Sequence, residues 1–265
     1  MKRITAFALV SLTCALATAQ SVSLKTETGV EAGLQLSGYR YQEPGLMSLS
    51  GQKLGIALDG TYAFNSFFLT GGLRHASGNV DYTSNGTGSS AANGDRLLEM
   101  RAAVGMDVAV GSHVIAPYAG LGYRVLENDL RGRSSTGAMG YRRKSEYQFL
   151  MLGAEHRMQV GEQAKLVTSL EYNHLLSGRQ TSYFADISPA YAAVFGNPVN
   201  DQDKGHGLRL GMDYVVKNWT VGVFAGYWKI ADSKVNTYTD GVFIYSLREP
   251  KNDTRELGVR VKYRF

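Results

Sequence analysis

The densest set of groups able to do chemistry is Asn200-Asp201-Gln202-Asp203-Lys204-Gly205-His206. An aspartate that orients an imidazole can activate water, so Asp203 or Asp201 with His206 is a candidate dyad. Hydrolysis also needs groups that hold the reacting centre, and no such partner accompanies this segment; the other reading is the solvated end of a polar loop. His75, His113, His156 and His174 stand singly, without a second ligand at metal-binding spacing, so neither a metal nor any other cofactor is expected. The Ser-, Gly- and Asn-rich stretch 84–94 lacks the regularly spaced acids of a calcium loop and reads as mobile surface. Arg131, Arg133, Arg142, Arg143 and Lys144 form a basic patch whose guanidinium forks suit phosphate, or else a solvated basic loop.

A second chemical set is spread along the chain. Asp59, Arg74, Glu99, Arg101, Asp107, Arg124, Glu171, Arg209, Asp213, Glu256 and Arg260, with Glu31, Lys262 and Arg264, carry both signs in near balance. Each alternates with apolar neighbours. In 97–110, Leu98, Met100, Ala102, Val104, Met106, Val108 and Val110 share one face, while Glu99, Arg101, Ala103, Gly105 and Asp107 share the other. That period of two is a strand's, and no helical period dominates anywhere.

Ten segments read as strands: 30–41, 53–64, 67–82, 97–110, 114–126, 145–160, 164–176, 207–216, 219–230 and 255–265. Their connections alternate between short and long. Asn65-Ser66, Gly111-Ser112-His113, Gly161-Glu162-Gln163 and Lys217-Asn218 have tight-turn chemistry, whereas 42–50, 83–96, 128–144, 177–204 and 231–254 are long and polar. A soluble sandwich has no reason to sort loops by end. A single closed antiparallel transmembrane β-barrel does, with short periplasmic turns, long extracellular loops and an even strand number. Aromatics flank both ends, as interfacial girdles require: Phe64, Phe67, Tyr214 and Trp219 by the short turns, and Tyr39, Tyr41, Tyr82, Tyr123 and Tyr227 by the long loops.

In such a barrel the apolar face meets lipid and the charges line the lumen. Ten strands lie nearer the narrow, filled barrels than the wide porins, so the charges are expected to pair and fill the space. Inward glycines at Gly55, Gly72, Gly105, Gly120, Gly122, Gly211 and Gly222 would leave room for a thin water path.

The first residues match this destination. Lys2 and Arg3 precede an apolar run and the small-x-small signature Ala17-Thr18-Ala19, which reads as a secretory leader over 1–19, leaving 20–265 as the barrel domain. The sole cysteine, Cys14, falls within it, so disulfides and thiolate chemistry are excluded from the exported chain. Without Lys2 and Arg3 the formal charge is about +3, which does not suggest nucleic acid as a partner. No later run approaches the roughly 18 apolar residues of a transmembrane helix.

The chain closes on Arg255-Glu-Leu-Gly-Val-Arg-Val-Lys-Tyr-Arg-Phe265, with Leu257, Val259, Val261, Tyr263 and Phe265 on one face. Here it resembles bacterial outer-membrane β-barrel proteins, whose last strand ends in an aromatic residue read by the barrel-assembly machinery. Pro117-Tyr-Ala-Gly-Leu-Gly-Tyr123 looks like the central strand of the small opacity-type and porin-like barrels. The resemblance implies an outer-membrane location in a Gram-negative cell and no single activity. It makes Val261, Tyr263 and Phe265 the expected assembly signal. Ten-stranded barrels also include the omptin proteases, with catalytic carboxylates and an Asp-His pair at the outer rim; here Asp81 is followed by Tyr82 and Thr83, without the close aspartate pair of that pattern. The expected function is therefore non-enzymatic, with surface loops for recognition, adhesion or structure, a narrow solute channel as the alternative and an omptin-like rim protease behind both. The expected partners are outer-membrane lipid and lipopolysaccharide, the assembly machinery, and an unidentified host or surface ligand.

Overall fold

The structure, a computed structural model, describes residues 22–265. The expected leader and its cleavage point lie outside them. Alternation carries straight into geometry. Along β1 (Gly29–Glu43), Gln35, Ser37, Tyr39, Tyr41 and Glu43 are buried while Leu34 and Leu36 are exposed. On β2 (Met47–Phe64), Lys53 and Gly55 are buried between exposed Leu54 and Ile56. Polar side chains thus point into the molecule and large apolar ones out of it. This is the inverse of a soluble sandwich and the pattern of a barrel in lipid.

The hairpin ladder continues through β3 (Phe67–Ser84), β4 (Gly88–Met106) with its short companion β5 (Val108–Val110), β6 (His113–Arg133), β7 (Met139–Val160) and β8 (Ala164–Ser182). After an excursion containing α1 (Pro189–Phe195) and β9 (Val199–Gln202), it resumes in β10 (Gly205–Val216) and β11 (Trp219–Ile230). A second excursion holds the hairpin of β12 (Asn236–Thr239) and β13 (Ile244–Leu247), before β14 (Asn252–Arg264). β14 pairs with β1 from Glu31↔Arg264 to Gln42↔Asp253, and β10 pairs with both β8 and β11. Ten spanning antiparallel strands therefore close a barrel with no free edge.

The four short turns lie where expected, and each uses a left-handed residue: Asn65 (φ 55°), Gly111 (φ 58°), Gly161 (φ 72°) and Lys217 (φ 52°). Pro117 costs the ladder little. It faces the interruption between β4 and β5, since β4 pairing ends at Gly105↔Tyr118 and β5 pairing starts at Val108↔Ile115.

At the other end three expected loops prove to be mostly strand. The chain turns only at 44–46, 85–87 and 134–138, and much of 84–94, expected as mobile surface, is ladder. Above the lipid both faces of a strand meet water or a polar interior, so hydrophobic alternation fades while backbone pairing persists. The inward glycines are also filled rather than open. A Cβ at Gly105 would fall on the Phe68 ring, and one at Gly122 on the Phe149 ring, so these glycines are sockets for neighbouring aromatics.

The seam is finished by aromatics outside: Tyr263 stands edge-on to both Trp219, at 5.0 Å between centroids, and Phe265, at 5.2 Å, while the Phe265 amide donates to the Val30 carbonyl at 3.0 Å. Val261→Asp puts a charge on this exposed face near one interface and should destabilise the barrel on the order of 1 kcal/mol. Phe265→Asp should reduce the heat-modifiable folded band on SDS gels more than Phe265→Tyr does. Equal folded fractions for wild type and both aspartate variants would show that the seam does not depend on this face.

Candidate functional site in the lumen and at the outer rim

The inward charges are sorted into pairs by the register. Near the short-turn end Lys262 Nζ lies 2.6 Å from Asp59, and Arg260 donates to both oxygens of Asp213 at 2.8 and 2.6 Å. Farther in, Arg209 pairs with Glu99, Arg101 with Glu171 and Arg74 with Glu256. Ser37 donates a further bond to Glu256 at 2.6 Å, and Tyr118 one to Glu171 at 2.9 Å. Arg124 makes no ion pair among the described residues and stands 5.6 Å from the Trp228 ring centre. Asp107 turns from the strand to meet Arg157 at 3.0 Å and to accept from the Thr26 amide and hydroxyl at 2.6 and 2.8 Å. Residues 23–27 are thereby tied across this mouth, with the Ser23 carbonyl on Lys165 at 3.0 Å and Glu27 at 3.6 Å from Arg264.

Between these layers lies a chamber of about 310 Å³, lined in part by Asp59, Arg74, Glu99, Arg260 and Lys165. Toward the long-loop end it meets a cluster of buried apolar side chains. Leu97, Phe149, Met151, Leu175 and Ile230 are each at most 2% exposed, and Phe149 meets Trp228 edge-on at 5.0 Å. Lys53 pairs with Asp95 beside it, its ammonium 3.3 Å from the Tyr39 ring centre, and Asn128 donates to Asp95 at 2.7 Å. Sequence reasoning missed Lys53 and Asp95 because both lay at or beyond the strand ends it drew. Their shared phase with Glu99 and Asp59 is the signal that would have found them.

Above the apolar belt Arg143 forms a cap. It lies 2.6 Å from Glu43, pairs also with Glu249, and donates to the Tyr41 hydroxyl at 3.2 Å. The Glu249 amide in turn bonds Ser233 at 2.8 Å, fastening the second excursion to the barrel. This dissolves the expected basic patch. Arg143 is inside, Arg131 is held bidentate by Asp129 at 2.8 and 2.6 Å, Arg142 by Asp186 at 2.8 and 2.9 Å, and Lys144 lies 3.1 Å from Glu146. Arg133 donates to the Gly137 carbonyl at 3.2 Å.

The Asp-His dyad is not assembled either. His206 faces outward and stacks on Tyr172 at 6.4 Å, and Asp201 lies 3.7 Å from Arg179. Two histidines expected to stand singly do meet: His156 Nε2 lies 3.0 Å from His113 Nδ1. Among the described residues no group of three His, Cys, Asp or Glu is placed to hold a metal ion.

Comparison with known proteins fits this geometry. The model of the outer membrane protein beta-barrel domain family matches residues 5–265. The chain belongs to that family. Its location is accordingly the outer membrane. Among solved structures this outer-membrane barrel is similar to the outer membrane protease OmpT from Escherichia coli, at 13% identity and a TM-score of 0.53 over 94% of this chain and all of that one. It is also similar to the translocator domain of autotransporter NalP from Neisseria meningitidis (12% identity, TM-score 0.44, 91% and 90% covered) and to Neisserial surface protein A (10%, 0.34, 90% and 98%). Likeness at these identities is likeness of fold alone. No curated protein matches the sequence.

In this barrel the cap carries a pH dependence. Burial, opposed by Arg143 and reinforced by Glu43, pushes the Glu249 carboxyl up to about 7. A raised carboxyl favours the folded state while protonated, so its contribution is present below its ordinary range and lost as pH rises toward 7. Wild-type resistance to urea should therefore fall between pH 5 and pH 8, and Glu249→Gln should flatten that slope. An unchanged slope in the variant would assign the dependence elsewhere.

Proposed function

We propose that this protein is a non-enzymatic outer-membrane barrel with a lumen closed to solutes, whose outer strands, α1 and the β12–β13 hairpin act in recognition. The observation that carries this is the apolar cluster, which we read as a plug: buried residues of β3, β4, β6, β7, β8 and β11 pack into one body inside the barrel, and Arg143 joins Glu43 and Glu249 beyond it. The balanced ion pairs support the same reading, because every buried charge among the described residues except Arg124 is spent on an oppositely charged partner rather than offered to a solute. The 310 Å³ chamber favours the alternative of a narrow channel, since it is a water-accessible route through the periplasmic half. Planar-bilayer recording separates them. The refolded wild type should show no stable conductance, and the double variant Phe149→Ala, Trp228→Ala should open one. A large, stable wild-type conductance would defeat the closed reading.

Two partners are part of the proposal. The barrel-assembly machinery would read Val261, Tyr263 and Phe265, which are exposed or half-exposed along one face of the last strand; a Phe265→Asp defect that is large in cells and small on refolding in detergent is the expected signature. Lipopolysaccharide would be held by phosphate contacts away from the third loop. Arg40 and Arg255 are direct cross-strand neighbours on β1 and β14, and Lys229 lies on the next strand, all outward and just above the lipid-facing leucines. Like charges placed opposite one another repel, and among the described residues Asp253, 3.4 Å from Arg255, is the one carboxylate paired with them. Arg40→Gln with Lys229→Gln should weaken stabilisation by lipopolysaccharide, whereas Arg131→Gln with Arg142→Gln should leave it unchanged; the reverse order would return the site to the third loop.

A further inference from the structure

The outer hairpin ends in three large apolar residues that nothing covers: Val242, Phe243 and Ile244 are 79%, 63% and 77% exposed. The tip is built rather than loose. Asp240 accepts from the amides of Val242 and Phe243 at 2.9 and 2.7 Å and from the Tyr245 hydroxyl at 2.7 Å, while Gly241 supplies the left-handed turn residue at φ 90°. The stem is braced from one side, where Phe195 of α1 stands edge-on to Tyr238 and Tyr245 at 5.7 and 5.2 Å. The fold therefore fixes a hairpin and then presents apolar side chains beyond its support.

Ile244, the first residue of β13 and paired with Thr239, points to the face opposite that of Tyr245, whereas Phe243, just before the strand, leans toward Tyr245 at 6.5 Å, so the two look to opposite sides of the hairpin. A partner that lays one surface against the hairpin would bury one of them and leave the other wet. Only surroundings that enclose the tip satisfy both. The chain around the base adds charge, with three exposed cations, Lys234, Arg248 and Lys251, outnumbering two exposed carboxylates, Asp240, held by the turn, and Asp232, which accepts from the Lys251 amide at 2.8 Å. An apolar wedge above a cationic collar is complementary to an anionic bilayer, with acyl chains for the tip and phosphate headgroups for the collar.

We propose that the β12–β13 hairpin is a membrane-docking wedge, which inserts Val242, Phe243 and Ile244 into the surface of an apposed bilayer containing anionic phospholipid. The test uses the full barrel in nanodiscs and sedimentation with sucrose-loaded phosphatidylcholine–phosphatidylserine vesicles. Wild type should co-sediment. The triple variant V242S/F243S/I244S should lose binding by about tenfold or more, and K234Q/R248Q/K251Q should lose the preference for phosphatidylserine. All variants should keep heat-modifiable gel mobility, which separates lost docking from lost folding. Failure of wild type to bind vesicles, or equal binding by the apolar triple variant, overturns the proposal. A third readout guards against insertion into the protein's own bilayer: an environment-sensitive dye on Phe243→Cys should report water in the nanodisc alone and an apolar setting after vesicles are added. An apolar setting before addition overturns the apposed-membrane assignment.

Discussion

Hydrocarbon offers no hydrogen-bond partner, so every backbone amide and carbonyl crossing the membrane must be paired within the chain. Most of the architecture answers to this requirement. It forces antiparallel hairpins and obliges β10 to pair on both sides; it also leaves β14 with no resting place except against β1. Once the ladder is closed, side chains have only two destinations, lipid or lumen. The strict alternation of Leu34, Leu36, Leu54 and Ile56 with Gln35, Ser37, Lys53 and Gly55 is that choice written residue by residue.

The lumen inherits a second problem from the first. A narrow interior crowded with arginine and glutamate is tolerable only if charges are matched, because an unpaired buried charge costs several kcal/mol. The register solves this with neighbours on different strands: Arg260 of β14 reaches Asp213 of β10, and Arg209 of β10 reaches Glu99 of β4. Arg124, a buried cation with no carboxylate partner among the described residues, uses the face of Trp228. At the outer end one guanidinium, Arg143, serves two carboxylates, which leaves the buried Glu249 poorly compensated and its proton held more firmly than an ordinary carboxyl's.

Much of this was legible in the sequence wherever one face of a strand meets lipid. All ten spanning strands announced themselves by alternation, and the short turns by Asn65, Gly111, Gly161 and Lys217. Legibility failed above the membrane, where both faces are polar and a paired strand looks like a loop; 84–94 and much of 128–144 read as loop for that reason. The same failure put Arg143 on the surface with Arg142 and Lys144, although its side chain alternates inward between theirs. The plug was invisible for a different cause. Leu97, Phe149 and Ile230 lie on the polar phase of their strands, and only three-dimensional closure brings them together.

The seam has a consequence for how such a chain reaches its final state. Its register sets Glu31 opposite Arg264 and Tyr39 opposite Glu256, partners separated by most of the polypeptide. Contacts of that sequence separation form late, because the entropy of closing so large a loop is met before the contact gives anything back. Sealing therefore requires the whole polypeptide to be present. A chain cut short at any point before β14 keeps two adhesive edges and no hydrocarbon-compatible form, so the same hydrogen bonds that finish the barrel discriminate an intact polypeptide from a truncated one.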